Sequence, residues 1–248
     1  MNKALRLIIT LFIGGVGGVV FCTISLPSMI KANVFGFGDI FTNLIAQETP
    51  TIIKTEEKIT IIDPDYWIDI VKNSKSSSVL VQSFNGGVLL SQGSGIVLTS
   101  DGIIAVPLSV VSSQAKTYQI FCQDGVYEAS VLSRSLNQNL AFLKIKASNL
   151  QVLGFSNNSG LELGQSGIIV GKKMQVSELK DFSQSAIVRE IYTSAFYLDT
   201  AFSRDIVGGA LISSRGELLG MVQINNKNQT FVIPAKTLKD LLEKQLKA

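Results

Sequence analysis

The chain has 248 residues, 46% hydrophobic and 17% charged, with a formal charge of +3 and no histidine. That length and apolar share allow one large core or two small ones, while the basic residues form no run and interleave with no aromatics, which argues against a nucleic-acid partner. With no histidine, only two well-separated cysteines (Cys22 and Cys122) and no glycine-rich phosphate loop, neither a metal site, nor a disulfide framework, nor any cofactor is expected.

Residues 7–30 carry no charged side chain. The first twenty of them, 7–26, would form a helix about 30 Å long, the thickness of a bilayer core. Residues 1–30 are therefore expected to be a cytoplasmic tip and one transmembrane anchor. Lys3 and Arg6 precede the run and only Lys31 follows closely, an asymmetry that keeps the N-terminus in the cytoplasm. The expected location is the cell membrane, single-pass, with the main domain extracytoplasmic, either periplasmic or extracellular. A cleaved signal peptide is the competing reading, but the run exceeds an ordinary apolar region and no A-x-A site follows it. Gly14 and Gly18 have GxxxG spacing, which lets two membrane helices approach, although glycine is frequent in such helices whether or not they pair.

Residues 31–64 read as an interfacial segment and linker: an apolar patch (Phe35, Phe37, Ile40, Phe41, Leu44, Ile45) precedes a polar, charged stretch at 47–58. Tyr66, Trp67, Ile70 and Val71 then fall at helical spacing, as in a packing helix. Beyond residue 76, short Val/Ile/Leu/Phe runs separated by Gly, Asn, Asp and Ser predict strands at 78–84, 95–99, 103–106, 118–122, 126–132 and 141–145. A second set is predicted at 166–170, 186–191, 196–198, 210–213, 218–224 and 230–233. Two sets of six suggest two barrels or sandwiches, and Leu238, Leu241, Leu242 and Leu246 share one face of a closing helix.

Four motifs carry a resemblance. Gly93-Ser94-Gly95-Ile96-Val97-Leu98, Asp101-Gly102 and Val110-Val111 come first, followed by Asn139-Leu140-Ala141-Phe142-Leu143-Lys144-Ile145. Val207-Gly208-Gly209-Ala210-Leu211-Ile212 is third, and Gly216-Glu217-Leu218-Leu219-Gly220-Met221 with Phe231-Val232-Ile233-Pro234 closes the series. In this order they resemble the HtrA (DegP-like) trypsin-fold serine proteases of the peptidase S1 type. The resemblance covers roughly residues 65–245. It implies an all-β fold over 65–248, a trypsin-like double six-stranded β-barrel with a C-terminal α-helix, here preceded by the transmembrane helix. It also implies frequent assembly as trimers and a C-terminal PDZ domain, which this chain is expected to lack.

Carried over motif by motif, the resemblance places Ser109 at the general-base position, Asn139 at the position of the orienting carboxylate and Val207 at the nucleophile position. A hydroxyl has no useful basicity at neutral pH, an amide supplies no negative charge to an imidazolium, and an isopropyl group has no attacking atom. Asp205 stands where the family has the first glycine of the oxyanion hole, a position that favours glycine and suffers from a nearby carboxylate. Among possible substitutes, Lys144 reads as a solvated strand residue and Cys122 as a structural thiol without a base to ionise it. Asp199 reads as an internal hydrogen-bonding or ion-pairing group. The sequence thus predicts an inactive protease homologue, a pseudoprotease that binds a peptide or protein ligand or regulates a homologous protease subunit. The alternative is an active serine-type hydrolase using other groups.

Overall fold

The computed structural model describes residues 3–25, 28–29, 66–157, 161–200 and 203–247; the interfacial segment and linker expected at 31–64 lie outside them. Two compact units result, Met1–Thr60 and Ile61–Ala248.

In the first unit, α1 (Lys3–Val20) gives way to a π-helical turn over Phe21–Ser25. The Thr23 hydroxyl donates to the Val19 carbonyl at 2.8 Å and Ser28 donates to Ser25 at 2.8 Å, back-bonds that compete with a regular α ladder. The regular helix therefore ends short of the expected residue 26. Among the described residues, no helix is long and apolar enough to cross a membrane.

In the second unit, α2 (Tyr66–Ser74) leads into β1 (Ser78–Asn85), β2 (Val88–Val97), β3 (Ile103–Pro107), β4 (Thr117–Phe121), β5 (Val126–Ser135) and β6 (Leu140–Ile145). These close into a barrel in the order β1-β2-β3-β6-β5-β4. A second barrel, β10-β11-β12-β9-β8-β7, is built from β7 (Ser166–Gln175), β8 (Glu178–Ile191), β9 (Phe196–Leu198), β10 (Ala210–Ile212), β11 (Leu218–Ile224) and β12 (Thr230–Pro234). The chain ends in α3 (Ala235–Leu246).

Strand alternation explains how one sequence makes three cores. On β3, Ile104 and Val106 face the interior of the first barrel with Val79, Val81 and Ile120. The intervening Ile103 and Ala105 join Ile168, Val170, Ile212 and Met221 of the second barrel in a cluster shared by both. The second barrel's interior holds Ile169, Leu211, Val222 and Val232. Ile70 of α2 and Leu238 and Leu242 of α3 pack on the shared cluster, so both helices brace the seam along which a cleft can form.

The expected strands all occur, with two differences of extent. β2 begins at Val88, and its register against β1 shifts between Ser83 and Phe84. β7 and β8 continue as a two-stranded arm, with Lys172 opposite Asp181 and Gln175 opposite Glu178. The arm's sequence does not alternate because beyond the barrel it has no buried face to satisfy. At its tip Val176 (φ 48°) and Ser177 (φ 64°) are both left-handed, as a two-residue hairpin turn of type I′ demands.

Candidate functional site

Ser109 lies in a single 3₁₀ turn, Leu108–Val110, directly after β3. The turn is fixed from below: the Val110 carbonyl accepts from the hydroxyls of Ser83 (2.5 Å) and Ser91 (2.7 Å). It is fixed from the side by the Leu108 N–H, which donates to the Asn139 carbonyl at 3.0 Å. Ser109 itself is exposed, and no hydrogen bond joins its hydroxyl to Asn139 or Val207 among the described contacts.

Asn139 immediately precedes β6 with φ 52°, a conformation asparagine tolerates better than most residues. Its Nδ2 donates to Gln223 Oε1 at 2.6 Å, and Gln223 Nε2 donates back to the Asn139 carbonyl at 2.9 Å. Gln223 sits on β11 and is 1% exposed. Where a protease would hold an imidazole with a carboxylate, this chain has a reciprocal amide clamp between its two barrels.

Val207 follows the 3₁₀ turn Arg204–Ile206. Its carbonyl accepts from Ser94 N–H at 3.1 Å. Gly208 beside it has φ 83°, and a Cβ there would stand 1.9 Å from the Ser94 carbonyl oxygen and 2.9 Å from Pro107 Cδ. A Cβ on Gly93 would in turn meet Val110 Cγ2 at 2.6 Å and the Val207 carbonyl at 3.5 Å. The sequence-assigned base, acid and nucleophile positions are thus brought into one neighbourhood at the barrel seam, linked through Pro107, Gly93 and Ser94.

The backbone donors of a cradle for a tetrahedral oxyanion are committed elsewhere. Val207 N–H donates to the Arg204 carbonyl at 3.3 Å, and Asp205 N–H donates to Ser203 Oγ at 3.3 Å. Asp205 is absent from the residues with positive φ. The loop has therefore taken a 3₁₀ form that suits a residue with a Cβ, rather than forcing Asp205 into glycine's conformation. Its carboxylate lies 3.2 Å from Lys173 Nζ, which softens the expected charge conflict without freeing either N–H. An oxyanion hole works only when its donors point, unpaired, at the developing charge.

The possible substitute groups are also engaged. Lys144 Nζ donates to the Asp101 carbonyl (2.7 Å) and carboxylate (2.5 Å), and this hydrogen bond holds the Asp101 carboxyl below its ordinary value. Burial pushes the Cys122 thiol up to about 11, opposite to what a nucleophile needs. Asp199 accepts from Ile187 N–H at 2.7 Å, the structural role read from its position. Buried Ser94 donates to the Lys172 carbonyl at 2.8 Å and accepts from the Lys172 N–H at 3.0 Å. The Lys172 ammonium pairs with Asp181. The hydroxyls of Ser83, Ser91 and Ser94 all bond to backbone groups.

Paired closed barrels followed by a C-terminal helix agree with the comparison to known families. The family described as "Trypsin-like peptidase domain" matches residues 86–221. The chain belongs to that family. Among its relatives are HtrA-type proteins, including a probable periplasmic serine endoprotease DegP-like of Buchnera aphidicola. That protein is 27% identical over 162 residues, 60% of this chain and 34% of the relative. The serine endoprotease DegS of Haemophilus influenzae is 21% identical over 237 residues, 89% of this chain and 65% of the relative. The crystal structure of the serine endoprotease from Yersinia pestis superposes with a TM-score of 0.66 at 21% identity, covering 75% of this chain and 68% of that one. The chain spans about a third of the length of the first curated relatives.

Three residues that shape this trypsin-like site escape the motif reading: Gln223, Ser203 and Lys173. Gln223 had a visible signal, a lone amide in the otherwise apolar β11 sequence Leu218-Leu219-Gly220-Met221-Val222-Gln223-Ile224. Ser203 and Lys173 had none, because their partners are set by a loop conformation and by an arm that the pattern did not reveal.

Proposed function

We propose that this trypsin-like peptidase domain no longer hydrolyses peptides and acts by binding an extended peptide or protein segment in its inter-barrel cleft. The observation that carries the reading is Val207 at the nucleophile position, with its own N–H spent on Arg204. The residue has no attacking atom, and its backbone offers no donor to an oxyanion. Ser109 in place of a base and the Asn139–Gln223 clamp in place of an acid support the same reading. The shared apolar cluster, and not the triad, builds the seam between the barrels, so its form does not depend on the chemistry. An extended ligand can still gain main-chain hydrogen bonds there.

The proposal places the domain outside the cytoplasm, held by the N-terminal segment at the membrane. The uncharged run at 7–30 behind Lys3 and Arg6 supports the anchor, and the name "periplasmic" borne by the Buchnera relative supports the side. The full chain in membranes, treated with a fluorophosphonate probe and incubated with unfolded casein, is expected to show neither covalent labelling nor cleavage. Labelling that disappears on mutation of one serine would establish the hydrolase alternative. Crosslinking in intact membranes then separates ligand classes: varied extended segments support direct peptide binding, whereas one homologous protease makes the chain a regulator of that protease.

A further inference from the structure

Beside the Ser109 turn, on the outer face of the first barrel, lies a groove of about 500 Å³. Its apolar walls are Leu90, Leu108 and Leu136, the last 78% exposed. Its polar side is made by Ser112, Ser113 and Arg134. Arg134 projects from β5, and its guanidinium is held by one bond: Nη2 donates to the Tyr118 hydroxyl at 2.9 Å, and that hydroxyl donates to the Ser112 carbonyl at 3.0 Å. No carboxylate lies within ion-pairing distance of Arg134 among the described residues. Arg134 is exposed, so the remaining N–H donors of its planar, permanently charged fork are open to solvent and to a ligand in the groove.

We infer that this groove receives the C-terminus of a polypeptide ending in an apolar residue, its carboxylate on Arg134 and its last side chain among Leu90, Leu108 and Leu136. A terminal residue carries its carboxylate and its side chain on the same carbon, so it presents an anion and an apolar group side by side. An internal glutamate instead carries its charge at the far end of its own side chain and has no apolar group beside it. The two serine hydroxyls supply further donors to a carboxylate, and charge-assisted bonds from arginine are the stronger class of hydrogen bond. The inference rests on the peptide-binding reading above and names a ligand class for a first-barrel groove beside the Ser109 turn.

The test uses fluorescein-labelled hexapeptides, Gly-Ser-Gly-Ser-Ala-Leu as free acid and as C-terminal amide, and Gly-Ser-Gly-Glu-Ala-Leu as amide, titrated against the full chain by fluorescence anisotropy. The free acid is expected to bind about two- to fivefold more tightly than either amide, the scale of an ion pair to an exposed arginine. Arg134→Gln should abolish that difference, and Arg134→Lys should restore part of it. The comparison of acid with amide on the unmodified chain needs no folded variant. Equal affinity for acid and amide, a difference that survives Arg134→Gln, or no binding of the free acid overturns the inference; tight binding of the glutamate amide assigns the site to internal acidic side chains and overturns it too. Mass spectrometry of the recovered peptides keeps the two readings apart. Cleaved peptide refutes the non-hydrolytic function whatever the affinities, whereas intact peptides that bind alike sink only the terminal-carboxylate claim.

Discussion

Replacing Asn139 by aspartate, the residue the resemblance expects at that position, should weaken the fold rather than repair the site. The Asn139 amide donates to Gln223 Oε1 at 2.6 Å, so a carboxylate there would set two acceptors against each other. Gln223 cannot escape by rotating its amide, because its Nε2 already donates to the Asn139 carbonyl at 2.9 Å; turning it would face Oε1 to that carbonyl. Exposed Asn139 lets the carboxylate turn to solvent, but Gln223, 1% exposed, has no water to replace the donor its Oε1 loses, and leaving one such group unsatisfied costs about 1–3 kcal/mol. For a domain of this size that is a fall of about 2–12 °C in Tm. The left-handed backbone adds little, since aspartate tolerates it nearly as asparagine does. Only the protonated carboxyl can donate to Oε1, so the introduced group's folded pKa should be raised above its unfolded value. Stability is then retained at low pH and lost as pH rises through the folded pKa. Thermal melts of the full chain at pH 4 and pH 7, repeated with Gln223→Ala, check each step. An Asn139→Asp chain as stable as the parent at pH 7, or a penalty undiminished in the Gln223→Ala background, would refute the clamp.

The other expectations concern the loop, the arm and the thiol. Gly208→Ala should cost about 3–5 kcal/mol, because a Cβ would overlap the Ser94 carbonyl at 1.9 Å and φ is 83°; a cooperative melt near the parental Tm would contradict this. Val176→Asn combined with Ser177→Gly should raise stability by about 1–2 kcal/mol by fitting the arm's tip to its left-handed turn, read as a higher urea midpoint. Cys122 titrates at about 11 in the fold against an ordinary 9.0. The unfolded chain therefore loses its proton first, and stability should fall by up to about 3 kcal/mol between pH 9 and 11, a drop that Cys122→Ser should remove from pH-dependent denaturation curves. Ser109→His, Asn139→Asp and Val207→Ser together should leave casein cleavage undetectable. Adding Asp205→Gly should raise activity above that triple variant, since freeing an oxyanion donor is worth about 10²–10³ in rate; robust cleavage by the triple variant alone would refute the argument from the cradle.

The fold was legible because barrels write themselves in two-residue alternation, and β5 shows how cleanly: its residues Val126–Ser135 alternate exposed and half-buried without a break. The arm of β7 and β8 was only half legible. Its base, including Ile168–Val170, is apolar and buried, but Lys173–Leu179 have no core to face and lose the period. In the expected anchor segment the uncharged run is easily seen, whereas the π-helical turn over Phe21–Ser25 comes with hydroxyl back-bonds that composition does not announce. At the site, the proposed loss of chemistry rests on Ser109, Asn139 and Val207, which the motif order alone assigns. The contacts around them could not be read from the sequence, because the Asn139–Gln223 clamp joins residues 84 positions apart and the occupied N–H groups of Asp205 and Val207 are properties of a loop conformation.

The residues that survive at the seam separate packing from catalysis. Gly93, Gly208 and Ser94 each fail a substitution test for steric or hydrogen-bonding reasons: a Cβ on either glycine would collide with Val110 or with the Ser94 carbonyl, and the Ser94 hydroxyl is spent on both backbone groups of Lys172. None of these constraints involves a reaction, so each holds with valine at position 207. Around the proposed triad positions the chain instead makes an amide clamp at Asn139, a 3₁₀ turn ending at Ile206, and a Lys173–Asp205 ion pair. Each of these contacts ties parts of the seam or its loop together. Under the proposed binding function, a seam tied by such internal bonds is pre-organised, and pre-organisation lowers the entropic cost of holding an extended ligand.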